Sequence, residues 1–312
     1  MNKCLVTKLN GSVNNESLLK MGELRIKIDK VQSPSTSNRS LAIGVNSPTN
    51  IRIIGSGYFT DENFSANKGK SLLLNSESLN YIYVSNDDIT ISIENKYNLT
   101  KFNCKAVSNP WEVGNNHTNI HINIEDFKYS TALTGLGLSY TSVSGDIAAV
   151  KNLTALTGLK LTNTFVSGDI SAIGSLSKLI SCGLNSVMGD ISVLNNTKLD
   201  NIIISNSGGL TGDIAKLNAN FKYLGLNNDN TSRFNWSSRD SGSVIFGNGG
   251  NPILISNLDD MLINMAQCRN GITSSSASWE KNITYQGKRT STSDSAVEKL
   301  QGYGYKININ RV

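Results

Sequence analysis

Apolar residues return through the middle of the chain in a triplet with the spacing Leu-x-x-Leu-x-Leu. The triplets are Leu133/Leu136/Leu138, Leu156/Leu159/Leu161, Leu179/Cys182/Leu184, Leu199/Ile202/Ile204 and a last, degenerate Phe221/Leu224/Leu226. The second and third positions are two residues apart, so they point to one face of a strand, and the residue between them points to the other. Each triplet therefore predicts a short strand with one face in a core.

A second phrase follows each of the first four triplets and ends in Gly-Asp-Ile. Its Gly and Asp positions are Gly145/Asp146, Gly168/Asp169, Gly189/Asp190 and Gly212/Asp213, which gives repeats of 23, 21 and 23 residues. A repeat of this length predicts a solenoid, in which each coil buries its apolar face only against neighbouring coils. We predict that these residues form the corner of each coil. The glycine there takes φ > 0 or lets coils approach closely, and the aspartate accepts hydrogen bonds from backbone N–H groups.

Shorter apolar segments precede the repeats. Strict alternation at Leu24–Ile28 and apolar runs at 51–54, 71–74, 81–84 and 89–93 predict an antiparallel, sandwich-like β domain over residues 1–106. The polar stretch 30–48 predicts a long loop. The alternating Ile120, Ile122 and Ile124 predict a strand at the entry to the solenoid, which we assign to residues 117–228.

The segment after the repeats predicts two helices. Leu258, Met261, Leu262 and Met265 follow helical spacing, and Ser293-Asp294 begins a second helix through Leu300. Together with strands at 283–285 and 305–309, they predict an α+β cap over residues 229–312. The predicted fold class is therefore mainly β with some α. It comprises an N-terminal β-sandwich-like domain, a solenoid of about five coils and a C-terminal cap.

Composition narrows the classes of function. Hydrophobic residues make up 38% and charged residues 17% of the chain, which suits short strands joined by polar turns and does not suit disorder. The net charge of +5 is spread thinly, with no basic run, so we predict no nucleic-acid binding. The cysteines Cys4, Cys104, Cys182 and Cys268 are scattered, which is typical of buried, reduced thiols.

Candidate chemistry is sparse. If the coils stack in register, the four corner aspartates form a column that can bind a cation such as Ca²⁺, although capping of the backbone is the favoured interpretation. His117 and His121 lie four residues apart, without a carboxylate or cysteine at ligand spacing. No nucleophile elbow, phosphate-binding glycine loop or zinc-protease motif is present. We therefore predict no enzyme activity, no cofactor and no metal.

The candidate binding face lies on the outward strand positions and on the loop before each corner. Tyr140 and Phe165 fall in that loop, and Lys160 lies between the apolar positions of its triplet. Exposed, these side chains can form a rim for a sugar or a protein. The alternative is that the two aromatic rings pack between coils.

The repeat Leu156-Thr-Gly-Leu159-Lys-Leu161-Thr-Asn-Thr-Phe-Val-Ser-Gly168-Asp169-Ile170 resembles the leucine-rich repeats of bacterial surface proteins and phage proteins. It departs from the commonest type, because no Asn or Cys follows the last Leu at the usual place; Thr141 and Thr164 stand nearby instead. The run 287–300, with Gly304-Tyr305-Lys306-Ile307, is similar to the end module of such proteins in Bacteroides and its phages.

The N-terminus lacks the apolar core of a signal peptide, and no apolar stretch approaches 18 residues, so we predict no membrane insertion. A phage virion protein needs no leader, so the resemblance implies a head or tail fibre of a crAss-like Bacteroides phage, located in the virion. It implies that the N-terminal domain binds other virion proteins, that the solenoid faces a host-surface glycan or protein, and that the chain forms a homo-oligomer, a trimer by analogy. A bacterial cell-surface adhesin is the alternative.

Overall fold

A computed structural model describes residues 22–30, 32, 40–61, 63, 65–104, 119–218, 223–227, 232–237, 245–247, 253–267, 282–286 and 289–309. Several sequence predictions fall elsewhere. Cys4, His117, Phe221 and Cys268 lie outside the described residues.

Strands dominate the described part of the chain. In the N-terminal part they are β1 Leu24–Ile28, β2 Ser40–Val45, β3 Thr49–Gly55, β4 Phe59–Thr60, β5 Ser71–Leu74, β6 Asn80–Val84, β7 Ile89–Ile93, β8 Leu99–Asn103 and β9 Ile120–His121. In the repeats they are β10 Gly135–Gly137, β11 Ser144–Asp146, β12 Gly158–Lys160, β13 Phe165–Asp169, β14 Ser181–Asn185, β15 Val187–Asp190, β16 Asn201–Ser205, β17 Leu210–Asp213 and β18 Tyr223–Asn227. They end with β19 Arg233–Asn235, β20 Ile245–Gly247, β21 Ile253–Ile255, β22 Asn282–Gln286 and β23 Lys306–Asn308.

Among the described residues, helices are few and short. α-Helices span Leu258–Gln267 and Asp294–Gly302. The 3-10 helices span Lys96–Asn98, Ile124–Phe127, Ile147–Val150, Ile170–Ser175, Ile191–Asn196, Ile214–Lys216 and Ser291–Ser293.

The strands form three sheets, with the orders β5-β3-β7-β1-β9, β20-β18-β16-β14-β12-β10-β8-β2-β6-β4 and β11-β13-β15-β17-β19-β21-β22-β23. The five-stranded sheet is antiparallel, and the eight-stranded sheet is parallel throughout. Each repeat gives one strand to the ten-stranded sheet and one to the eight-stranded sheet. One hydrophobic cluster runs from Leu24 through the repeats to Tyr305.

The repeats confirm the predicted parallel, solenoid-like stacking. The strands β10, β12 and β14 pair in parallel, with Leu136 opposite Leu159 and Leu159 opposite Cys182. All three side chains are buried. Since successive coils place the same triplet position in the same row, the spacing in the sequence becomes a continuous core.

The parallel ladder extends one strand beyond the predicted triplets at each end. In the ten-stranded sheet, β8 pairs in parallel with β10, and β20 pairs in parallel with β18, so seven parallel strands follow one another. Leu99, Phe102 and Cys104 form the missed N-terminal triplet, and all three are buried. Phe102 lies opposite Leu136.

The N-terminal part differs from expectation in two places. The predicted loop 30–48 is wrong, because Ser40–Val45 forms a strand within it. All six of its residues are buried, so the strand shows no alternation that would reveal it. The predicted entry strand is confirmed only in part: Ile120–His121 pairs antiparallel with β1, Asn123 forms an isolated parallel bridge with Ser144, and a 3-10 helix begins at Ile124.

The ten-stranded sheet crosses the predicted boundary between the N-terminal domain and the solenoid. The strand β8 pairs with β2 on one side and with β10 on the other. The division at residues 106 and 117 stays a prediction, but hydrogen bonds join the two parts.

The C-terminal helices follow their apolar spacing as predicted. Leu258, Met261, Leu262 and Met265 are buried in the first helix, and Leu300 is buried in the second. The strands β21, β22 and β23 continue the parallel ladder of the eight-stranded sheet in this segment.

Candidate functional site: the coil corners and a glycine-floored groove

The corner aspartates bind the backbone of their own coil. The bonds to Oδ1 run from Ala148 N to Asp146 at 2.8 Å, Ser171 N to Asp169 at 2.8 Å, Ser192 N to Asp190 at 2.8 Å and Ala215 N to Asp213 at 3.0 Å. Each aspartate is the N-cap residue of a 3-10 helix. Hydrogen bonds from Ser171 hold the pKa of the Asp169 carboxyl below its usual value, because they stabilise the charged form.

The corner glycines meet both constraints that the sequence suggested as alternatives. Gly145, Gly168, Gly189 and Gly212 have φ between 107° and 129°. A Cβ on Gly168 would lie 2.5 Å from Oδ1 of Asp146, and a Cβ on Gly212 would lie 2.6 Å from Oδ1 of Asp190. Gly168, Gly189 and Gly212 therefore each lie against the capping carboxylate of the coil before.

An amide takes the place of the carboxylate at the start of the column. Asn123 Oδ1 accepts from Glu125 N at 3.0 Å, and a Cβ on Gly145 would lie 2.6 Å from that oxygen. Within the described ranges, no three His, Cys, Asp or Glu residues converge as a metal ion would need. His121 lies apart from the column, with Nε2 2.8 Å from Oδ2 of Asp29.

Two buried threonines occupy the turn after the last apolar residue of their triplets, where the sequence departs from the commonest repeat. Thr141 Oγ1 donates to Leu138 O at 2.6 Å, and Thr164 Oγ1 donates to Leu161 O at 2.7 Å. In the next coil, Asn185 Nδ2 donates to Thr164 O at 2.8 Å. These bonds satisfy buried polar groups at the turn and link neighbouring coils.

The three candidate binding residues do not share one surface. Tyr140 is half-buried at the turn after β10, with φ of 62°, an uncommon backbone conformation for a bulky residue. Phe165 lies in β13 of the eight-stranded sheet, 70% exposed. Lys160 lies in β12 of the ten-stranded sheet and lines a cavity to which neither aromatic residue contributes.

That cavity, of about 200 Å³, lies on the face of the ten-stranded sheet opposite the repeat core. Gly135, Gly137 and Gly158 form its floor. We call it the glycine groove; it is also lined by Lys101, Asn103 and Lys160, by Thr134 and Thr157, by Ala42 and Leu79, and by the backbone of Phe102 and Leu136.

Strand register builds the groove. One row of directly paired residues runs across the sheet, through Tyr81, Ala42, Asn103, Gly137, Lys160 and Gly183. A second row runs through Lys101, Gly135 and Gly158. Glycine weakens a strand interior and is often found where a ligand approaches the backbone closely. Here the outward position leaves the core unaffected. The surface is open above Gly135, where the nearest atom to a Cβ would be 3.7 Å away, whereas the Asn103 amide lies over Gly137, 3.0–3.3 Å from a Cβ built there.

The groove is polar at its edges and carries positive charge. Thr134 Oγ1 donates to Thr100 O at 3.0 Å, and Thr157 Oγ1 donates to Thr134 O at 2.9 Å, which leaves each hydroxyl oxygen able to accept. Lys101 is exposed and Lys160 is half-buried. Burial lowers the pKa of Lys160, because it penalises the charged ammonium.

Of the residues that line this groove, only Lys160 is among the binding-face residues that the sequence predicts, and that role stays a prediction. The available signal was Thr-Gly-Leu, which recurs as Thr134-Gly135-Leu136 and Thr157-Gly158-Leu159. It places glycine at the same outward position of two consecutive strands. Lys101 and Asn103 carried no such signal, because their strand was not assigned to the solenoid.

No protein-family model matches the sequence, and no curated protein matches it. Among solved structures, the chain is similar to an internalin, inlF, of Listeria monocytogenes, with 20% identity over 62% of this chain and 67% of that one, at a TM-score of 0.29. It is similar to internalin C2 of the same organism, with 18% identity over 55% and 78% of the two chains, at a TM-score of 0.32. The leucine-rich-repeat ectodomain of the plant receptor kinase GASSHO1/SCHENGEN3 from Arabidopsis thaliana gives 16% identity over 60% and 22%, at a TM-score of 0.33. Likenesses this distant carry no argument about function.

Within the described residues, no helix is both long and apolar enough to cross a membrane.

Proposed function

We propose that this chain is a non-enzymatic binding protein, a leucine-rich-repeat module that holds a surface ligand in the glycine groove. The observation that carries the proposal is the glycine floor at the outward positions of β10 and β12, framed by lysine, asparagine and threonine side chains. A site with exposed backbone and few convergent polar groups suits recognition.

The groove also lacks the side chains that most hydrolytic chemistry uses. None of the described residues that line it is Asp, Glu, His or Cys. General acid–base catalysis most often uses His, Asp or Glu within hydrogen-bond reach of the reacting atom. This supports binding without turnover.

The proposal is tested by filling the groove. Gly135→Leu places a side chain on the floor, where the nearest heavy atom to a new Cβ is 3.7 Å away, so the backbone at this position accommodates a Cβ without a clash. We expect the full chain to bind intact Bacteroides cells in a pull-down assay and the variant to lose that binding. Ser167→Leu, an exposed position on β13, is the matched control and keeps it. Equal binding by both variants excludes the groove.

We further propose that the protein serves as a head or tail fibre of a phage virion, with the N-terminal β region bound to other virion proteins and the chain forming a trimer. The similarity of the repeat phrase and of the run 287–300 to proteins of Bacteroides phages supports this role. Mass spectrometry of purified virions should detect the chain, and light scattering should give three times the chain mass. Its presence instead in the envelope of uninfected bacteria supports the surface adhesin.

A further inference from the structure

Two lysines frame the glycine groove from opposite sides. Lys101 on β8 lies opposite Gly135, and Lys160 on β12 lies opposite Gly137, so the glycine strand β10 runs between them. Neighbouring strands are about 4.8 Å apart, which places β8 and β12 roughly 10 Å apart. The Lys101 stem already lies beside the floor, with Cγ 3.7 Å from a Cβ built on Gly135. The Lys160 stem leans toward Gly183 on the next strand, with Cδ 3.6 Å from a Cβ built there, so Lys160 reaches a ring-sized group on the floor by a change of rotamer.

The charged residues of the groove favour a negatively charged ligand. Lys101 and Lys160 are the charged residues that line the groove, and no described lining residue is acidic. Lys160 is half-buried, so its ammonium has given up part of its hydration. An anionic ligand group replaces that hydration with a charge-assisted hydrogen bond, which is among the stronger polar contacts in proteins.

The size and shape of the groove limit the size of the ligand. The cavity of about 200 Å³ is smaller than the roughly 300–1,000 Å³ of a site for a drug-sized molecule, so it accepts one ring-sized unit. Asn103, Thr134 and Thr157 offer amide and hydroxyl groups at its edge. Tyr81 lies next to Ala42 in the row beyond the groove, 52% exposed, where its ring offers a surface for the next unit of a polymer.

The groove is less suited to a peptide than to a sugar. Both β10 and β12 pair with strands on each side, so neither offers a free edge to which a peptide strand can add. The floor at Gly135 instead suits the C–H face of a sugar ring, and the Thr134 and Thr157 hydroxyl oxygens can accept hydrogen bonds from sugar hydroxyls.

We propose that the glycine groove binds a carboxylated sugar unit of an acidic surface polysaccharide. The carboxylate is bound by Lys101 and by Lys160 in a rotamer turned toward the groove, and the ring lies on Gly135, beside the Asn103 amide that covers Gly137. This inference rests on the proposed function, because it names the class of ligand for the same groove.

The test compares acidic sugars with their neutral counterparts. An array of hexuronate- and sialate-containing oligosaccharides, and the same compounds with carboxyl groups reduced to alcohols, is probed with the full chain, and binders are titrated by calorimetry. We expect reduction to weaken binding at least about tenfold, the equivalent of one charge-assisted hydrogen bond. Lys101→Met and Lys160→Met should each weaken binding of the acidic form by about the same factor, without changing binding of the reduced form.

Lys151→Met is the matched control, because Lys151 is exposed and follows the 3-10 helix Ile147–Val150, away from the groove. It should bind as the unmodified chain does. No binding to the acidic members, or equal binding of acidic and reduced forms, overturns the inference. If cells are still bound and Gly135→Leu still abolishes that binding, the proposed function stands while the acidic-sugar assignment falls.

Discussion

At the scale of single residues, the corner position requires glycine for two reasons: its backbone conformation and the close approach of the neighbouring coil. Gly168 has φ of 129°, and a Cβ there would lie 2.5 Å from Oδ1 of Asp146. Gly69 has φ of 83° with nothing within 4 Å of a Cβ. We predict that Gly69→Ala lowers the free energy of unfolding by about 1 kcal/mol, and Gly168→Ala by about 2–3 kcal/mol. Urea unfolding followed by circular dichroism measures both; equal losses would mean that close approach contributes nothing.

The capping aspartate allows a second test at the same scale. Asp169→Ala removes the acceptor for Ser171 N and should cost about 1 kcal/mol of unfolding free energy. Asp169→Asn keeps an oxygen acceptor and should be within a few tenths of a kcal/mol of the unmodified chain, since Asn and Asp cap about equally well. Asn123 already caps the first corner in this way. If Asp169→Asn lowered the free energy of unfolding as much as Asp169→Ala does, the negative charge of the carboxylate, rather than its hydrogen bond to Ser171 N, would provide the stabilisation.

The same carboxyl gives a pH dependence with a definite sign. Hydrogen bonds from Ser171 lower the pKa of Asp169 in the folded chain, so its ionised form stabilises the fold above the unfolded pKa of about 3.9. That contribution is lost as the pH falls through the folded-state pKa. Asn at this position does not titrate, so the stability of the unmodified chain relative to Asp169→Asn should fall between pH 5 and pH 2. A difference constant over that range contradicts this. Thermal melts at several pH values measure it.

At the scale of elements, β8 is the strand that sequence reasoning left out of the solenoid. Phe102 is fully buried, and its ring centroid lies 5.2 Å from that of Phe127. We predict that Phe102→Ala costs about 3–5 kcal/mol of unfolding free energy, because it removes a large ring from a packed core. Phe165→Ala, at a ring 70% exposed, should change it by less than about 0.5 kcal/mol. Chemical denaturation of both variants measures the contrast, and a loss below 1 kcal/mol at Phe102 would place β8 outside the shared core.

What the sequence could predict at this scale depended on local repetition. The corner residues and the strand spacing recur within 21 to 23 residues, so their pattern is visible. All six residues of the strand β2 are buried, so its sequence shows no alternation between apolar and polar positions. Ala42 and Lys160 both line the glycine groove because three strand pairings connect them: β2 with β8, β8 with β10, and β10 with β12. No local sequence pattern specifies the register of these pairings.

At the scale of the whole molecule, the N-terminal region and the solenoid share one sheet. Thr134 N donates to Thr100 O at 2.8 Å, and Cys104 N donates to Gly137 O at 3.0 Å, so backbone bonds cross between β8 and β10. The groove needs both parts, because Lys101 and Asn103 come from one side and the glycine floor from the other. In a stack of coils, an end strand without its neighbour exposes unpaired backbone and apolar surface.

A chain cut at the predicted boundary tests this dependence. Residues 117–312 expressed alone lack β8 and leave β10 as an edge strand, so we expect aggregation or loss of the thermal transition in light scattering and circular dichroism. The matched control is the full chain with a protease site inserted between residues 107 and 116 and cleaved after folding. Its two pieces should stay together and keep the melting temperature of the intact chain, because pairing between β8 and β10 holds them rather than the connecting peptide. A monomeric 117–312 fragment with that same melting temperature would show that the solenoid begins at β10 and folds by itself.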